Sequence, residues 1–363
     1  MDVPMVKVDV GEDEQKGVEE VLKSGMLAQG RIVEEFEKKF ADYIGVKYAV
    51  ATSNGTSALH TALLSAGIKH DDEVLVPSFT FIATANAVRF CNAKPVFVDI
   101  NEDDFNMSIE DLKKKITPKT KAIIPVHLYG TPANMKEIME IAEEHDLIVI
   151  EDACQAHGAE FNNKKVGSFG IGTFSFYPTK NMTTGEGGMI TTNSKEIYEK
   201  AIKIRNHGMI ERYHHEIVGY NYRMTNINAA IGIPQLKRLD ANNLKRIKNA
   251  DRYDAGLRGI PGIILPKRFK NRKQVFHQYT IRVTEEFGIN RDELAKGLKE
   301  KGIGTGIYYP IPIHMQKAYE GFNVSLPVTE KLSKEVLSLP IHPSLKDEEI
   351  DYVIEKMKEF SKR

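Results

Sequence analysis

Cysteine is scarce in this sequence of 363 residues, which contains only Cys91 and Cys154. Two cysteines are too few for a disulfide framework, so the class of disulfide-rich scaffolds is excluded. Each of the two lies in or beside an apolar run. The expectation for both is therefore a buried, unreactive thiol.

An excess of charge of one sign is missing as well, since Lys+Arg and Asp+Glu number 50 each. Without a net field, the chain has no general electrostatic means of recruiting nucleic acid or an anionic membrane. No apolar run approaches the length of a bilayer span, and the N-terminal MDVPMVKVDV lacks the pattern of a signal peptide. The expectation is a cytoplasmic protein that binds neither nucleic acid nor membrane.

The composition that is present suits a globular protein, with 41% apolar and 28% charged residues. Between residues 46 and 192, short apolar runs alternate with helical patterns, as where VKYAVAT (46–52) precedes SALHTALLSAG (57–67). The runs are continuous and rich in β-branched residues, which predicts strands that are covered on both faces. The fold class is therefore α/β, with a doubly wound and mostly parallel sheet.

The C-terminal third of the chain has a different pattern. A helical segment is predicted over residues 225–258, with an interruption near Pro234, and the Pro-Gly pair that follows it marks a domain boundary. The strand QYTIRV (278–283) and two later helical patterns predict an α+β fold for this part. Two domains are expected, a large one over residues 1–250 and a small C-terminal one over residues 251–363.

Polar side chains follow two of the predicted strands, at the edge where ligands of parallel α/β sheets collect. SNGTSALH (53–60) is a strand-to-helix turn whose backbone amides could seat a phosphate, although an ordinary helix N-cap explains Ser53 or Asn54 equally well. Asp152 ends the apolar run LIVIEDA, and Gln155 follows it within the same turn. Asp152 is either a cap for that turn or a functional carboxylate.

A third feature is FSFYPTKNMTTGEGGMITTN (174–193), in which a single lysine, Lys180, stands between two apolar strand patterns. A lysine amine in a buried site forms imines with carbonyl compounds. A phosphate seat, an acid and a lysine are the parts that pyridoxal phosphate requires, and Phe81 could cover its ring or simply fill the core. The glycines of GSFGIG (167–172) follow no clear strand, so no dinucleotide site is predicted there.

Long blocks of the sequence resemble one family. They are SGMLAQGRIVEEFEKKFADYIGVKYAVATSNGTSALH near the start, then IEDACQAHGAE, FSFYPTKNMTTGEGGMITTN and GYNYRMTNINAAIGIPQLKRLD. These blocks are similar to the DegT/DnrJ/EryC1/StrS family of pyridoxal-phosphate-dependent sugar aminotransferases, and the resemblance covers nearly the whole chain. It implies the fold type I of aspartate aminotransferase, with a mostly parallel seven-stranded sheet, and a homodimer with shared active sites.

The resemblance also implies roles for individual residues. Lys180 would hold pyridoxal phosphate as a Schiff base and would shuttle protons during turnover, while Asp152 would pair with the pyridinium nitrogen. The other implied cofactor contacts are Gly55, Thr56 and Ser175 at the phosphate, Gln155 near the phenolic oxygen, Phe81 on the ring and, from the neighbouring subunit, Asn221 at the phosphate.

A lysine at position 180 implies transamination, because family members with histidine there dehydrate the sugar instead. The expected amino donor is glutamate and the expected acceptor is a keto-sugar nucleotide. The alternative from another class is a regulatory or scaffold protein of the same fold, against which the intact set of cofactor residues argues. A metal enzyme is a weaker rival, since His214 and His215 are adjacent in a polar stretch and no Cys/His spacing suits zinc.

The segment GIYYPIPIHMQKAY (306–319) bears on the substrate. Spacing alone favours a Pro-rich connector whose aromatic residues pack on the core. The run YYPIPIH nevertheless resembles members that aminate carbon 3, which implies a 3-keto hexose or hexuronate nucleotide with Tyr309 and His314 as hydrogen-bond partners. Because GYNYRMTNINAAIG also resembles perosamine synthases, a 4-keto-6-deoxy sugar nucleotide stays as the alternative substrate.

Overall fold

The computed structural model describes residues 1–361, and its centre is a seven-stranded sheet. In chain order the strands are β1 (Tyr48–Thr52), β2 (Glu73–Pro77), β3 (Lys94–Val98), β4 (Thr120–Ile123), β5 (Ile148–Asp152), β6 (Glu160–Phe161), β7 (Lys164–Lys165), β8 (Ile171–Ser175), β9 (Gly188–Thr192), β10 (Met209–Glu211), β11 (His214–His215), β12 (Ile263–Ile264), β13 (Arg272–Lys273), β14 (Tyr279–Val283) and β15 (Val336–Leu339).

The central sheet has the strand order β1-β9-β8-β5-β4-β2-β3. Only β9 is antiparallel to its neighbours, β1 and β8, while the pairings among β8, β5, β4, β2 and β3 are all parallel. The predicted mostly parallel sheet of seven strands is therefore confirmed. Because β5 and β8 run parallel with Asp152 opposite Thr173, both strands end at the same edge of the sheet.

Helices cover both faces of this sheet. In chain order the helices of residues 1–361 are α1 (Glu12–Ser24), α2 (Arg31–Ile44), α3 (Gly55–Ser65), α4 (Ala83–Phe90), α5 (Ile109–Lys115), α6 (Met135–Glu144), α7 (Lys195–Arg205), α8 (Asn226–Leu257), α9 (Arg291–Glu300), α10 (Pro327–Glu335) and α11 (Asp347–Phe360). Alternate residues of β2 show the two faces, since Val74 and Val76 pack with α3 and α4, whereas Leu75 packs with α5 and α6. In residues 1–361 no helix has the length and apolar character to cross a membrane.

The C-terminal part has its own small antiparallel sheet, in the order β12-β14-β15. Its core includes residues of α9 and α11, and also Ala250, Tyr253 and Leu257 from the end of α8. Val3 belongs to the same core and forms a bridge with Ile303. The α+β character of this part agrees with the sequence, whereas the domain division at residue 250 stays a prediction and falls inside α8.

Helix α8 continues through Pro234, where an interruption was expected. Proline removes the amide that would bond to the carbonyl of Ala230, four residues earlier. That carbonyl faces Gly17 of α1, and a Cβ on Gly17 would lie only 3.1 Å from its oxygen. The close approach of α1 packs the chain around the missing bond, and the helix remains one element.

The glycine-rich turn at residues 167–172 leads into β8, which starts at Ile171 rather than at Phe174. Its amides serve the fully buried carboxylate of Glu151: Oε2 accepts from Gly167 N at 2.8 Å, and Oε1 accepts from Phe169 N at 2.8 Å and Gly170 N at 3.0 Å. The turn thus binds a carboxylate of the protein itself, which agrees with the absence of a predicted dinucleotide site there.

Candidate active site

A cavity of about 640 Å³ opens where β5, β8 and the start of α3 meet the C-terminal part of the chain. It lies at the carboxyl ends of the parallel strands, the edge where ligands bind in this class of sheet. It brings together eight of the residues singled out in the sequence: Gly55, Thr56, Phe81, Asp152, Gln155, Ser175, Lys180 and Tyr309.

The start of α3 forms one wall of the cavity. Asn54 caps the helix, because its Oδ1 accepts a hydrogen bond from the Ser57 amide at 2.8 Å. A Cβ on Gly55 would lie 2.7 Å from Cβ of Ser175 and 3.2 Å from Sγ of Cys154, so only glycine lets the helix end come this close to β8. The positive end of the α3 dipole and the Ser175 hydroxyl therefore converge on one spot, which suits a phosphate.

Asp152 is 5% exposed and ends β5 inside the cavity. Its Oδ2 accepts a hydrogen bond from the Thr84 hydroxyl at 2.8 Å, and its Oδ1 accepts from the Cys154 amide at 3.2 Å. Both readings left open by the sequence are therefore present, since the carboxylate caps the following turn and also faces the cavity. Two donors hold it in place and leave it able to accept another hydrogen bond.

Lys180 lies in the turn after β8, where its amide donates to the carbonyl of Tyr177 at 2.9 Å. Removal from solvent lowers the pKa of its amine, and the charges of Cys154 and Asp152 oppose that shift. A lowered pKa increases the share of neutral amine at a given pH. The neutral amine is the form that attacks a carbonyl carbon or accepts a proton.

A chain of hydrogen bonds links the large sheet to the tyrosines of residues 308 and 309. Gln155 accepts from the Tyr129 amide at 2.9 Å, and its Nε2 donates to the Tyr309 hydroxyl at 3.0 Å. The hydroxyl of Tyr129 in turn donates to the carbonyl of Tyr308. Burial raises the pKa of Tyr309, so its hydroxyl keeps its proton at neutral pH.

The sequence that builds this cavity matches a known family over nearly the whole chain. The model of the DegT/DnrJ/EryC1/StrS aminotransferase family matches residues 8–358. The chain belongs to this family. It is thus an aminotransferase, as the sequence blocks indicated, and the alternative of a scaffold without turnover is not favoured.

Three similar proteins illustrate the relatives of this aminotransferase. A pleiotropic regulatory protein of Geobacillus stearothermophilus is 43% identical over 99% of both chains. A GDP-perosamine synthase of Escherichia coli O157:H7 is 40% identical, over 99% of this chain and 98% of the relative. A UDP-N-acetyl-3-dehydro-alpha-D-glucosamine 3-aminotransferase of Acidithiobacillus ferrooxidans is 43% identical, over 92% of this chain and 90% of the relative.

Solved structures show the same fold. DesV of Streptomyces venezuelae, in complex with a ketimine intermediate, has a TM-score of 0.94 and 39% identity, over 99% of this chain and 100% of DesV. NtdA of Bacillus subtilis, with bound cofactor PMP, has a TM-score of 0.91 and 37% identity, over 100% of this chain and 86% of NtdA. The predicted α/β fold of the pyridoxal-phosphate-dependent sugar aminotransferases is confirmed.

Pyridoxal phosphate is the cofactor of this aminotransferase, and the cavity fits it. The missing Cβ of Gly55 leaves a cradle at the end of α3 for a phosphate, and Asp152 offers a carboxylate with free acceptor capacity. The ring of Phe81 is 56% exposed and lies 6.3 Å from that of Tyr309, so its face is available for stacking. Lys180 supplies the amine.

Two of the sequence-predicted residues do not line the cavity. Asn221 is exposed on the surface of the single chain. His314 is buried, with Nδ1 2.7 Å from the Ser78 hydroxyl and Nε2 3.4 Å from Glu330. The backbone amide of His314 donates to the Ser78 hydroxyl at 3.1 Å. His314 therefore anchors the segment after Tyr309 to the end of β2.

The cavity also contains residues that sequence reasoning missed. Thr84 holds Asp152, His277 and Glu186 line the wall, and Cys154 lies beside Gly55. Cys154 is only half-buried and lines the cavity, so the expectation of full burial is corrected for it, while burial raises the pKa of its thiol, as expected for an unreactive cysteine. Cys91 is buried, as expected. Thr84 stands three residues after Phe81, and this proximity in sequence is a signal that could have identified Thr84 as part of the site.

His214 and His215 form strand β11, an exposed hairpin strand paired with β10. Nδ1 of His214 lies 3.0 Å from Glu211, and Nδ1 of His215 lies 2.8 Å from the carbonyl of His207. Across residues 1–361, no cluster of three or more His, Cys, Asp and Glu side chains is placed to hold a metal ion. These histidines thus have local structural partners.

Proposed function

We propose that this aminotransferase transfers an amino group from glutamate to a keto-sugar nucleotide whose keto group is at carbon 3, on a hexose or a hexuronate. The observation that carries the proposal is the cavity, where a lysine, a held carboxylate and a helix N-terminus meet the Tyr309 hydroxyl. The Acidithiobacillus relative, named as a 3-aminotransferase, supports carbon 3. The perosamine synthase relative supports the alternative, a 4-keto-6-deoxy sugar nucleotide.

When bound, pyridoxal phosphate supplies an electron sink for the carbon that gains or loses its amine. Asp152 would hold the ring nitrogen in its protonated form, because its carboxylate is fixed by Thr84 and by the Cys154 amide. The amine of Lys180, with its lowered pKa, would accept a proton at Nζ and return it nearby. The N-terminus of α3 and Ser175 would anchor the phosphate.

Tyr309 is the proposed sugar contact in this chain. Its oxygen accepts a hydrogen bond from Gln155 Nε2, which leaves its own O–H free to donate to a sugar oxygen. His314 has both ring nitrogens engaged outside the cavity, so we assign it no contact with the sugar. It supports Tyr309 indirectly by fixing the turn that follows.

We further propose a homodimer in which Asn221 completes the phosphate site of the neighbouring subunit. Support comes from its place in the single chain, where it is exposed and outside the cavity that its own subunit builds. A side chain that faces solvent in the monomer can reach a second copy. The cavity is thus expected to be incomplete without its partner.

Amino transfer to a panel of keto-sugar nucleotides tests the substrate. Purified protein loaded with pyridoxal phosphate is mixed with glutamate and one acceptor, and the product mass is read over time. We expect 3-keto acceptors to react much faster than their 4-keto isomers. Faster reaction of 4-keto-6-deoxy acceptors would replace the proposal with its alternative, and no transfer to any keto sugar would reject both.

Lys180→Ala tests the assigned amine. The variant should remain folded, bind pyridoxal phosphate without a covalent bond and show no amino transfer. Borohydride reduction and peptide mapping of the wild type should place the pyridoxyl label on Lys180. Lys195→Ala, a change at an exposed lysine that starts α7, is the matched control and should label normally. A label on another lysine would refute the assignment.

Subunit mixing tests the shared site. A Lys180→Ala chain and an Asn221→Ala chain are each impaired alone, but their mixed dimer contains one site with both residues intact. We therefore expect about half of the wild-type activity per mixed dimer. If verified mixed dimers recover no activity, Asn221 acts within its own chain or not at all.

A further inference from the structure

Residues 220–222, which we call the arm, connect the hairpin of β10 and β11 to the segment before α8. The arm is held by its backbone: the amides of Tyr220 and Tyr222 donate to the carbonyls of Ile204 at 2.7 Å and Arg205 at 2.9 Å. Asn221, between them, forms a bridge with Asn206. This is the geometry of an extended segment, in which alternate side chains point to opposite sides.

The two tyrosines of the arm lie on one side and pack on α3. Their rings stack on each other with centroids 4.9 Å apart and an angle of 6° between planes. The ring of His60, in α3, contacts Tyr220 edge-on at 5.0 Å, and its Nδ1 lies 3.2 Å from the Tyr222 hydroxyl. His60 is 3% exposed and lines no part of the cavity.

Since Tyr220 and Tyr222 face α3, the side chain of Asn221 between them faces away from its own subunit. Its exposure agrees with this direction. A loose arm would let Asn221 sample many positions, whereas the packing on His60 restricts it to one. Restricting a binding group before the ligand arrives saves the entropy of ordering it later.

We propose that His60 is a positioning residue that fixes the arm, and with it Asn221, for the phosphate site of the neighbouring subunit. The inference rests on the proposed function, because it requires that Asn221 act on the partner. The proposal therefore predicts that a change at His60 impairs the phosphate site of the other chain. Helix α3 would thereby bind the phosphate in its own subunit at its N-terminus and, through His60, align Asn221 with the phosphate in the neighbouring subunit.

A further contact joins the arm to the phosphate site of its own subunit. The Ser53 amide donates to the carbonyl of Tyr222 at 2.8 Å, and the Ser53 hydroxyl lies 3.1 Å from that of Ser57. Ser53 directly precedes the phosphate-binding turn of its own chain. A change at His60 could thus weaken the site of its own subunit through Ser53, and this is the competing explanation.

Two variants break the contact between His60 and the arm. His60→Ala removes the ring, and Tyr222→Phe removes only the hydroxyl, which keeps the proposal testable if the first variant folds poorly. The measurement is the concentration of pyridoxal phosphate that gives half-maximal pyridoxyl label on Lys180 after borohydride. We expect both variants to need about tenfold more pyridoxal phosphate, the scale of one hydrogen bond to a charged group. Tyr198→Phe, in the stacked pair with Tyr48, is the matched control and should not change it.

Mixed dimers give the direction of the effect, because a Lys180→Ala chain takes no label and all label reports the other chain's site. In the first dimer, one chain has His60→Ala with Lys180→Ala and its partner is wild type. In the second, one chain has only His60→Ala and its partner only Lys180→Ala. We expect the tenfold weakening in the first dimer and wild-type loading in the second.

The same two arrangements made with Asn221→Ala separate the possible failures. If the Asn221→Ala defect crosses to the partner but the His60→Ala defect stays in its own chain, the positioning role is overturned and the shared site stands. If the Asn221→Ala defect does not cross, the shared site fails and the inference fails with it. Additive losses in a chain with both changes would also overturn the inference, since His60 is proposed to act through Asn221.

Discussion

Glu151 and Asp152 are adjacent on β5 and point to opposite sides of the sheet, where they have different surroundings. Glu151 is fully buried and accepts hydrogen bonds from three backbone amides and from Nε2 of His127 at 3.1 Å. Asp152 accepts from one hydroxyl and one amide and faces the cavity. The two carboxylates are nearly equally buried, so burial alone does not separate a structural acid from a functional one.

The number of donors separates them. Burial pushes the pKa of Glu151 upward, but the hydrogen bonds from His127, Gly170 and Gly167 outweigh burial and lower it. His127 donates from Nε2, since its Nδ1 accepts from the Ala133 amide at 3.0 Å. Glu151 has its acceptor sites filled, whereas Asp152 retains capacity for a ligand. Substitutions at the two positions should therefore fail in different ways.

The largest effect is expected from Asp152→Asn. The amide keeps the size of the side chain and can still accept from the Cys154 amide, so the free energy of unfolding should change by about 1 kcal/mol or less. Amino transfer should fall about 10²–10³-fold, because the negative charge that we propose to face the cofactor nitrogen is lost. Steady-state kinetics and denaturant unfolding on the same sample check both parts. A large loss of stability would make Asp152 structural, like its neighbour.

Glu151→Gln should produce the opposite pattern. Either orientation of the amide places its NH₂ against two donors, so the free energy of unfolding should fall by about 3 kcal/mol. The fraction that remains folded should keep amino transfer close to the wild-type rate. Denaturant unfolding checks the first part, and activity per folded molecule checks the second. Glu196→Gln, on the exposed side of α7, is the control.

Thr84→Val removes one of the two donors to Asp152 and so tests whether amino transfer depends on how firmly this carboxylate is held. Valine has the same shape, so the fold should be unaffected, while amino transfer should drop about tenfold because the carboxylate is less firmly held. Thr61→Val is a matched control, since the buried Thr61 hydroxyl has no hydrogen-bond partner among the described residues. Equal kinetics for the two variants would contradict the role given to Thr84.

The smallest effect is a difference in acid stability. The pKa of Glu151 is lower in the folded chain than in the unfolded one, so its contribution is present above the unfolded value, about pH 4.3. Between the unfolded and the folded pKa, Glu151 is protonated in the unfolded chain but not in the folded one, so acid favours unfolding. The contribution of Glu151 to stability is therefore lost by the time the pH has fallen through the folded value. Stability of the wild type should fall more steeply than that of Glu151→Gln on acidification below that point. Parallel curves would contradict the lowered pKa.

The sequence predicted the parts of the site that local pattern can specify. Lys180 stood out as a cation between apolar strands, and the turn at Gly55 as a strand-to-helix connection. The roles of Glu151 and Asp152 were not separable, because neighbouring acids at a strand end look alike until their partners are known. The direction of the His314 ring depends on Ser78, 236 residues away, which spacing within a segment cannot reveal.

The structure differs from the sequence-based prediction where tertiary contacts, and not local pattern, decide whether an element continues. The apolar run KAIIPVHL (121–128) has the pattern of one strand, but β4 ends at Ile123, two residues before Pro125, whose nitrogen carries no hydrogen to donate to a neighbouring strand. Helix α8, in contrast, continues through Pro234 because α1 packs against the carbonyl left without an amide. The same residue type thus ended one element and not the other, according to what lay nearby.

Helix α8 has a practical consequence for working with this chain. Its 32 residues make a rod about 48 Å long that begins in the core beneath the large sheet and ends in the core of the C-terminal part. A fragment cut at residue 250 would separate Tyr253 and Leu257 from the rest of that rod and would leave Val3 without its small-domain partners. We expect neither half to be expressed in folded form alone, so chimaeras with relatives should exchange the two ends of α8 together.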